Sequence, residues 1–340
     1  MTVLYSDNKN ITEGTLPTTN AIINGDFDMW VRGSSFNPIS SGYTADRWFV
    51  GETTDGSIRA DRESTIKPDG TNYCIKITVV TGDSSLAGTQ YGNIHQRIEG
   101  YNYIPFIGRT ATLSFWVRSS VTGTYSIAFR NDSPYDRSYI AEYTIDTANT
   151  WEHKKITLAF DYSGGTWNLT NGIGLYVIFS LGLGTTYAAA PGSWVSENKI
   201  GSTNQVNWLA TAGNTFYLSK VQLERGRVAT PFQQLPRAII EKQCQRYYEV
   251  RYYYQNCVST SAATGHNWGM IEYNWKRANP TITTTGTTIW ARVAWYDTTS
   301  ITISSGWQDR AYFNFQDTAH SNYNFGTALI RGTFYISAEL

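Results

Sequence analysis

Short runs in which every second residue is apolar set the main constraint on this chain. In Asn72–Val80, Tyr73, Ile75, Ile77 and Val79 share one parity. Leu113, Phe115 and Val117 alternate with Ser114, Trp116 and Arg118, and Tyr125, Ile127 and Phe129 alternate with Ser126, Ala128 and Arg130. Ile156, Leu158 and Phe160 repeat the pattern, and Ile173, Leu175, Val177, Phe179 and Leu181 extend it. Successive side chains leave a strand on opposite sides, so period two with polar partners describes strands with one buried face. Turn clusters such as Asp83-Ser84-Ser85 and Ser163-Gly164-Gly165-Thr166 separate the runs. Many short strands, Gly-rich turns and hardly any helix point to a two-sheet β-sandwich.

One strand carries a parity break. In Thr215–Glu224, Phe216 and Leu218 share a face, whereas Val221 and Leu223 take the opposite parity. One extra residue restores the facing and keeps Lys220 out of the interior, which predicts a β-bulge near Ser219–Lys220.

Residues 235–250 depart from period two. Pro236 suits a helix start, where its missing N–H costs nothing, and Ile239, Ile240, Gln243, Cys244, Tyr247 and Tyr248 follow at helical spacing. The spacing predicts a connector helix over 235–250 between two β domains, 21–234 and 251–340. In the second, Trp268–Trp275, Thr287–Tyr296, Ser300–Ser304, Arg310–Gln316 and Thr333–Leu340 are the candidate strands. Residues 1–20 are small, polar and aperiodic, and read as an arm.

Composition limits the function classes. The 340 residues carry no net charge, and only 16% are charged. Without a basic excess no nucleic-acid partner is expected. No apolar run reaches the roughly 18 residues of a membrane span, so no membrane insertion is expected. Met1–Asn20 lacks the apolar stretch of a secretory signal. Cys74, Cys244 and Cys257 are odd in number and scattered, and read as free thiols. Aromatics reach 15% of the chain. Such rings serve core packing, burial between subunits, or a sugar site in which flat faces cover the C–H faces of a pyranose.

Catalytic patterns are missing. There is no G-x-S-x-G elbow, H-E-x-x-H helix or Walker loop. Gly172-Ile173-Gly174 lacks the third glycine and the helix of a dinucleotide site. His95, His153, His266 and His320 are isolated along the sequence. Asp26 and Asp28 form the kind of pair that a glycosidase or a structural calcium could use, and turn chemistry around Asn24-Gly25 is the simpler reading. The expectation is a non-enzymatic protein with no cofactor and no metal site.

A series of motifs is more specific. Asn20-Ala21-Ile22-Ile23-Asn24-Gly25-Asp26-Phe27-Asp28-Met29-Trp30 is followed by Tyr43-Thr44-Ala45-Asp46-Arg47-Trp48. Gln96-Arg97-Ile98-Glu99, expected as a turn, Leu113-Ser114-Phe115-Trp116-Val117-Arg118, Val221-Gln222-Leu223-Glu224 with Ala229-Thr230-Pro231-Phe232, and Glu241-Lys242-Gln243-Cys244-Gln245-Arg246-Tyr247-Tyr248 follow in order. Arg277-Ala278-Asn279-Pro280-Thr281 and the closing Ser337-Ala338-Glu339-Leu340 complete the series. Across 20–340 the chain resembles a family of phage tail-fibre and related virion proteins that begin with a galactose-binding-like, carbohydrate-binding-module-like jelly roll.

The resemblance implies an all-β fold: a jelly-roll β-sandwich, a short helix and a smaller C-terminal β-sandwich. It implies a homotrimer on the virion, synthesised in the host cytoplasm, with the C-terminal domain distal. Its partners would be a host-surface glycan and, through residues 1–20, other tail or capsid proteins. Trp268, Trp275, Trp290, Trp295 and Trp307 are then the candidate saccharide-stacking residues. Trp30, Asp46, Arg47, Trp48, Trp116 and Arg118 are expected to build the fold. Related modules place a calcium ligand after N-G-x-F, here Asp28, with acidic partners in the last strand, where this chain has Ser219 and Lys220. A capsid decoration or head-fibre protein and a glycan depolymerase are the alternatives.

Overall fold

The computed structural model describes residues 20–161, 163–259, 266–291, 294–297, 301–306, 308–316 and 327–340. It also describes two short paired strands, Val3–Leu4 and Asn10–Ile11; the remainder of the expected arm lies outside the described residues. The chain divides into two compact units, Met1–Pro236 with Leu340, and Arg237–Glu339. The fold is all-β.

The first unit is a jelly-roll sandwich of two antiparallel sheets. The seven-stranded sheet runs in the order Trp194–Val195, Ser138–Ile145, Gly123–Arg130, Ile173–Leu183, Tyr91–Glu99, Trp48–Glu52, Ser41–Tyr43. The six-stranded sheet runs Glu152–Ala159, Thr110–Ser119, Thr215–Arg225, Cys74–Thr81, Ser57–Glu63, Ser35–Ile39. The apolar parities found in sequence meet between the sheets. Ile127, Phe129, Leu175, Val177 and Phe179 face Ile75, Ile77, Leu113, Phe115 and Leu218 in one continuous core. Phe115 meets Phe179 edge to face at 5.2 Å, a geometry that places the positive rim of one ring on the negative face of the other.

The expected bulge is present. Ser219 pairs with Trp116, the register then shifts, and Gln222 pairs with Ser114. Lys220 sits at φ +49°, and its Nζ donates to the Asp69 carbonyl at 2.5 Å instead of entering the core. Val221 thereby regains the inward face and is fully buried.

Gln96-Arg97-Ile98-Glu99 is corrected from a turn to the end of the Tyr91–Glu99 strand. The alternation of buried Gln96 and Ile98 with Arg97 continues the strand, and the turn is an expectation of the resemblance alone. Its amide exchanges two hydrogen bonds with the backbone of Ile23, each 2.8 Å.

In the second unit the helix spans Arg237–Gln245 and is shorter than expected, because Tyr248 already begins the strand Tyr248–Ser259. Ile240 and Cys244 supply its buried face. One seven-stranded sheet follows, in the order Ala294–Asp297, Thr281–Ala291, Thr327–Ser337, Tyr248–Ser259, His266–Glu272, Arg310–Gln316, Ile301–Gly306. The run Thr287–Tyr296, expected as one strand, is divided between two antiparallel strands that pair Trp290 with Trp295. Ile289-Trp290-Ala291 and Val293-Ala294-Trp295-Tyr296 are continuously apolar, with only Arg292 and no Gly, Pro or Asn between them, so the sequence carries no mark of the reversal. Among the described residues no helix is long and apolar enough to cross a membrane.

Gly25 explains one fixed letter of the opening motif. A Cβ there would lie 2.1 Å from the Val221 carbonyl oxygen, and Val221 N–H donates to the Gly25 carbonyl at 2.9 Å. Gly25→Ala is expected to destabilise the protein by about 2–3 kcal/mol through this overpacking. Urea denaturation of the variant beside the parent protein checks this.

Candidate functional site

The outer face of the seven-stranded sheet carries a cleft of about 330 Å³. Its floor follows from strand parity. Along Tyr91–Glu99, Tyr91, Asn93, His95 and Arg97 face the cleft, while Ile94 and Ile98 enter the core. Neighbouring strands supply matching positions. Phe49 and Ile178 pair with His95 from either side. Tyr176 pairs with both Arg97 and Arg130, so a second row reads Arg97, Tyr176, Arg130 across three strands. Tyr135, Tyr187, Asn198 and Ile200 come from connecting segments and form the walls.

The polar groups of the floor are locked to one another. His95 Nδ1 and Asn93 Oδ1 are 2.9 Å apart, and Arg97 Nε donates to His95 Nε2 at 3.3 Å. This pattern assigns the Nδ1–H tautomer. Burial, with the positive Arg97 and Arg130 nearby, holds the His95 imidazole well below its usual range, so it is neutral. The ring stacks on Phe49 at 4.9 Å. Arg97 lies over Phe49 at 4.6 Å, and its Nη1 donates to the Leu340 carbonyl. Arg130 lies over Tyr135 at 4.3 Å and over Tyr176 at 4.6 Å, and its Nη1 donates to Asn198 Oδ1 at 2.6 Å. Tyr91 and Tyr187 meet edge to face at 5.7 Å.

Tyr135 adopts φ +61°, a left-handed conformation uncommon for a bulky residue. A turn hydrogen bond from Tyr135 N–H to the Asp132 carbonyl, 2.8 Å, holds it there. Backbone strain of this kind persists only where surrounding contacts compensate for it, and here the ring lies on the Arg130 guanidinium.

The cleft takes none of the five tryptophans expected to stack on sugar. Trp275 is in the second unit and 62% exposed. Trp268, Trp290 and Trp295 occupy strand positions there, with their side chains outside the description, and Trp307 lies outside the described residues. Sequence reasoning passed over the cleft residues because it treated His95 as isolated. The signal was the row Tyr91, Asn93, His95, Arg97, an uninterrupted aromatic and polar parity opposite an apolar one.

The motif residues sit in the framework. Trp48 is fully buried, and its indole N–H donates to the Asn24 carbonyl at 2.8 Å. Trp30 donates to the Phe27 carbonyl at 2.6 Å. Asp46 accepts from Val31 N–H at 2.7 Å and pairs with Arg32 at 3.5 Å, and Arg47 donates to the Arg97 carbonyl at 2.6 Å. Trp116 stacks on His153 at 5.3 Å, and Arg118 lies over Tyr217 at 4.9 Å. Asp26 and Asp28 lie outside any strand, Asp26 in the turn that follows Asn24-Gly25. Asp28 accepts from Asn72 Nδ2 at 3.0 Å. Among the described residues no three His, Cys, Asp or Glu side chains converge on one point.

No protein-family profile matches the chain. No curated protein matches it in sequence. Solved structures match part of the chain at low similarity. An enzymatically active domain of tailspike protein 4 from bacteriophage CBA120 is 13% identical, with a TM-score of 0.34 over 61% of this chain and 21% of the tailspike chain. This chain therefore spans about a fifth of that protein. A protein of Bacteroides thetaiotaomicron provisionally assigned as sugar binding is 12% identical, with a TM-score of 0.34 over 61% of this chain and 100% of that one. A family 11 carbohydrate-binding module of Clostridium thermocellum, solved with a β-1,3-1,4-linked tetrasaccharide, is 10% identical, with a TM-score of 0.30 over 56% and 95%.

Asp26 gives a pH signature to the framework. It is 3% exposed, and burial, reinforced by the charge of Asp28, raises its carboxyl from 3.8 to about 6. The folded state therefore holds this proton more tightly than the unfolded state. The group's contribution to stability is full below pH 4 and is lost as pH rises through 6, a change on the order of 2–3 kcal/mol. His95 acts in the opposite sense below pH 6.5, because its folded form resists the proton that the unfolded chain accepts. Comparison with Asp26→Asn isolates the first effect. In urea denaturation across pH 4 to 8, the stability advantage of the variant is expected to grow up to about pH 6 and then level off.

Proposed function

We propose that this chain is a non-enzymatic fibre protein of a phage virion that adsorbs to host-surface saccharide through the cleft of its first unit. The observation that carries the saccharide reading is the lining itself. Phe49, Tyr91, Tyr135, Tyr176 and Tyr187 border the same space as Asn93, His95 and Asn198. A pyranose offers apolar C–H faces and a rim of hydroxyls, and it suits flat rings interleaved with amide and imidazole groups. The lining contains no carboxylate. Hydrolysis of a glycosidic bond ordinarily takes two, which supports binding without turnover. The motif series from Asn20 to Leu340 supports the virion placement, and with it a homotrimer attached through residues 1–20. Three clefts on one assembly would raise weak single-site binding through effective concentration.

The experiment is binding of the full-length protein to a glycan array, and to intact cells of a binding strain before and after periodate oxidation. Tyr135→Ala combined with Tyr187→Ala, both at partly exposed positions, is expected to weaken binding about tenfold while the melting temperature stays close to that of the parent. Trp275→Ala is the companion variant for the second unit. A loss confined to Trp275→Ala would move the site there, binding that is indifferent to periodate would overturn the saccharide reading, and no binding to cells at all would favour the capsid decoration reading.

A further inference from the structure

We propose that the cleft takes an acidic saccharide, with the carboxylate of a uronate or sialate residue seated on Arg130. The proposal rests on the saccharide reading above and narrows it to one ligand class.

Arg130 differs from the other arginines of the first unit whose charge is met by an acid. Arg32, Arg59 and Arg137 each pair with an aspartate. Arg130 makes no ion pair among the described residues. Its one hydrogen bond is to a neutral amide, Asn198 Oδ1, and its Nε is buried without a partner. The carboxylate that acts on it electrostatically, Asp132, is engaged by Tyr176, whose hydroxyl donates to Asp132 Oδ1 at 3.3 Å.

A guanidinium keeps its proton throughout the ordinary pH range, and a buried charge without a counterion is costly. The faces of Tyr135 and Tyr176 offset part of that cost. They do so on the planes of the group and leave the in-plane Nε donor without a partner. A planar carboxylate complements such a fork better than a hydroxyl, because the bonds are charge-assisted and can be paired. The cleft also has no acid of its own to repel an anion, and Arg97 adds a second positive group to the lining. A sugar ring lying among the tyrosines would carry its carboxylate to Arg130 within the same cavity.

The test is an array of uronate- and sialate-containing oligosaccharides, each beside its carboxyl-reduced form and beside neutral oligosaccharides, probed with the full-length protein and followed by titration calorimetry on the strongest acid. The acid is expected to bind about tenfold or more tightly than its reduced form. Arg130→Gln is expected to abolish that preference, so that the acid and its reduced form bind with equal affinity. If Arg130→Gln fails to fold, as judged by circular dichroism and melting, the acid-to-reduced ratio of the parent protein still decides. Equal binding of acid and reduced forms overturns the acidic-ligand proposal and leaves the saccharide reading intact. Absence of binding to every glycan overturns both.

Discussion

Trp48 is the point on which the framework of the first unit converges. Its ring has no exposed surface, stacks on Phe27 at 4.6 Å and leans on Phe179 at 6.3 Å. Its one polar atom is satisfied by the Asn24 carbonyl. Asn24 in turn donates to the carbonyls of Met29 and Asp46, both at 3.0 Å, and accepts from Met29 N–H at 2.9 Å. The opening segment thus closes over the core with apolar weight inside and the side-chain donors of Asn20, Asn24 and Trp30 partnered. A buried donor left without an acceptor would cost about 1–3 kcal/mol, so tryptophan, asparagine and the turn between them depend on one another.

The same closure holds the floor of the cleft. Gln96 clamps the Ile23 backbone on the inner side of its strand, while His95 and Arg97, its neighbours in sequence, face the cleft. Framework and site are therefore opposite faces of one strand. The floor inherits the rigidity of paired strands, whereas Tyr135, Tyr187 and Asn198 stand on connections. This division suits recognition: the strands fix the rows of rings and guanidinium groups, and the walls can vary without loss of the fold.

The aromatic content has two separate explanations. Phe27, Trp48, Phe115, Phe129, Phe160, Phe179, Trp208 and Phe216 are fully or almost fully buried and fill the interior. Those that distinguish the site are fewer and lie on the outer face of the sheet. A high aromatic fraction alone therefore does not locate a ligand. The outward-facing rings Phe49, Tyr91 and Tyr176 lie outside the core between the sheets and line the cleft, where Tyr91 and Tyr176 also pack a second, smaller apolar cluster.

Much of the fold was legible from local pattern. Period-two runs marked the strands, and the parity break at Ser219–Lys220 marked the bulge, because a side chain's face depends only on its place along its own strand. The Asn20–Trp30 and Tyr43–Trp48 motifs marked framework residues through the family resemblance, and the structure ties them together by bonds such as Trp48 to Asn24 and Asn24 to Asp46. The cleft was not legible as a whole. Phe49, His95, Arg130, Tyr176 and Asn198 become neighbours only through strand order, register and the segments that cross the sheet. Nor does the sequence, nearly all apolar from Ile289 to Tyr296 and without a turn residue, reveal the division of Thr287–Tyr296 into two strands. Facing is a local property of the backbone and is written residue by residue. Adjacency between strands is decided when the sheets assemble, and the cleft, its electrostatics and the unpaired Arg130 are products of that assembly.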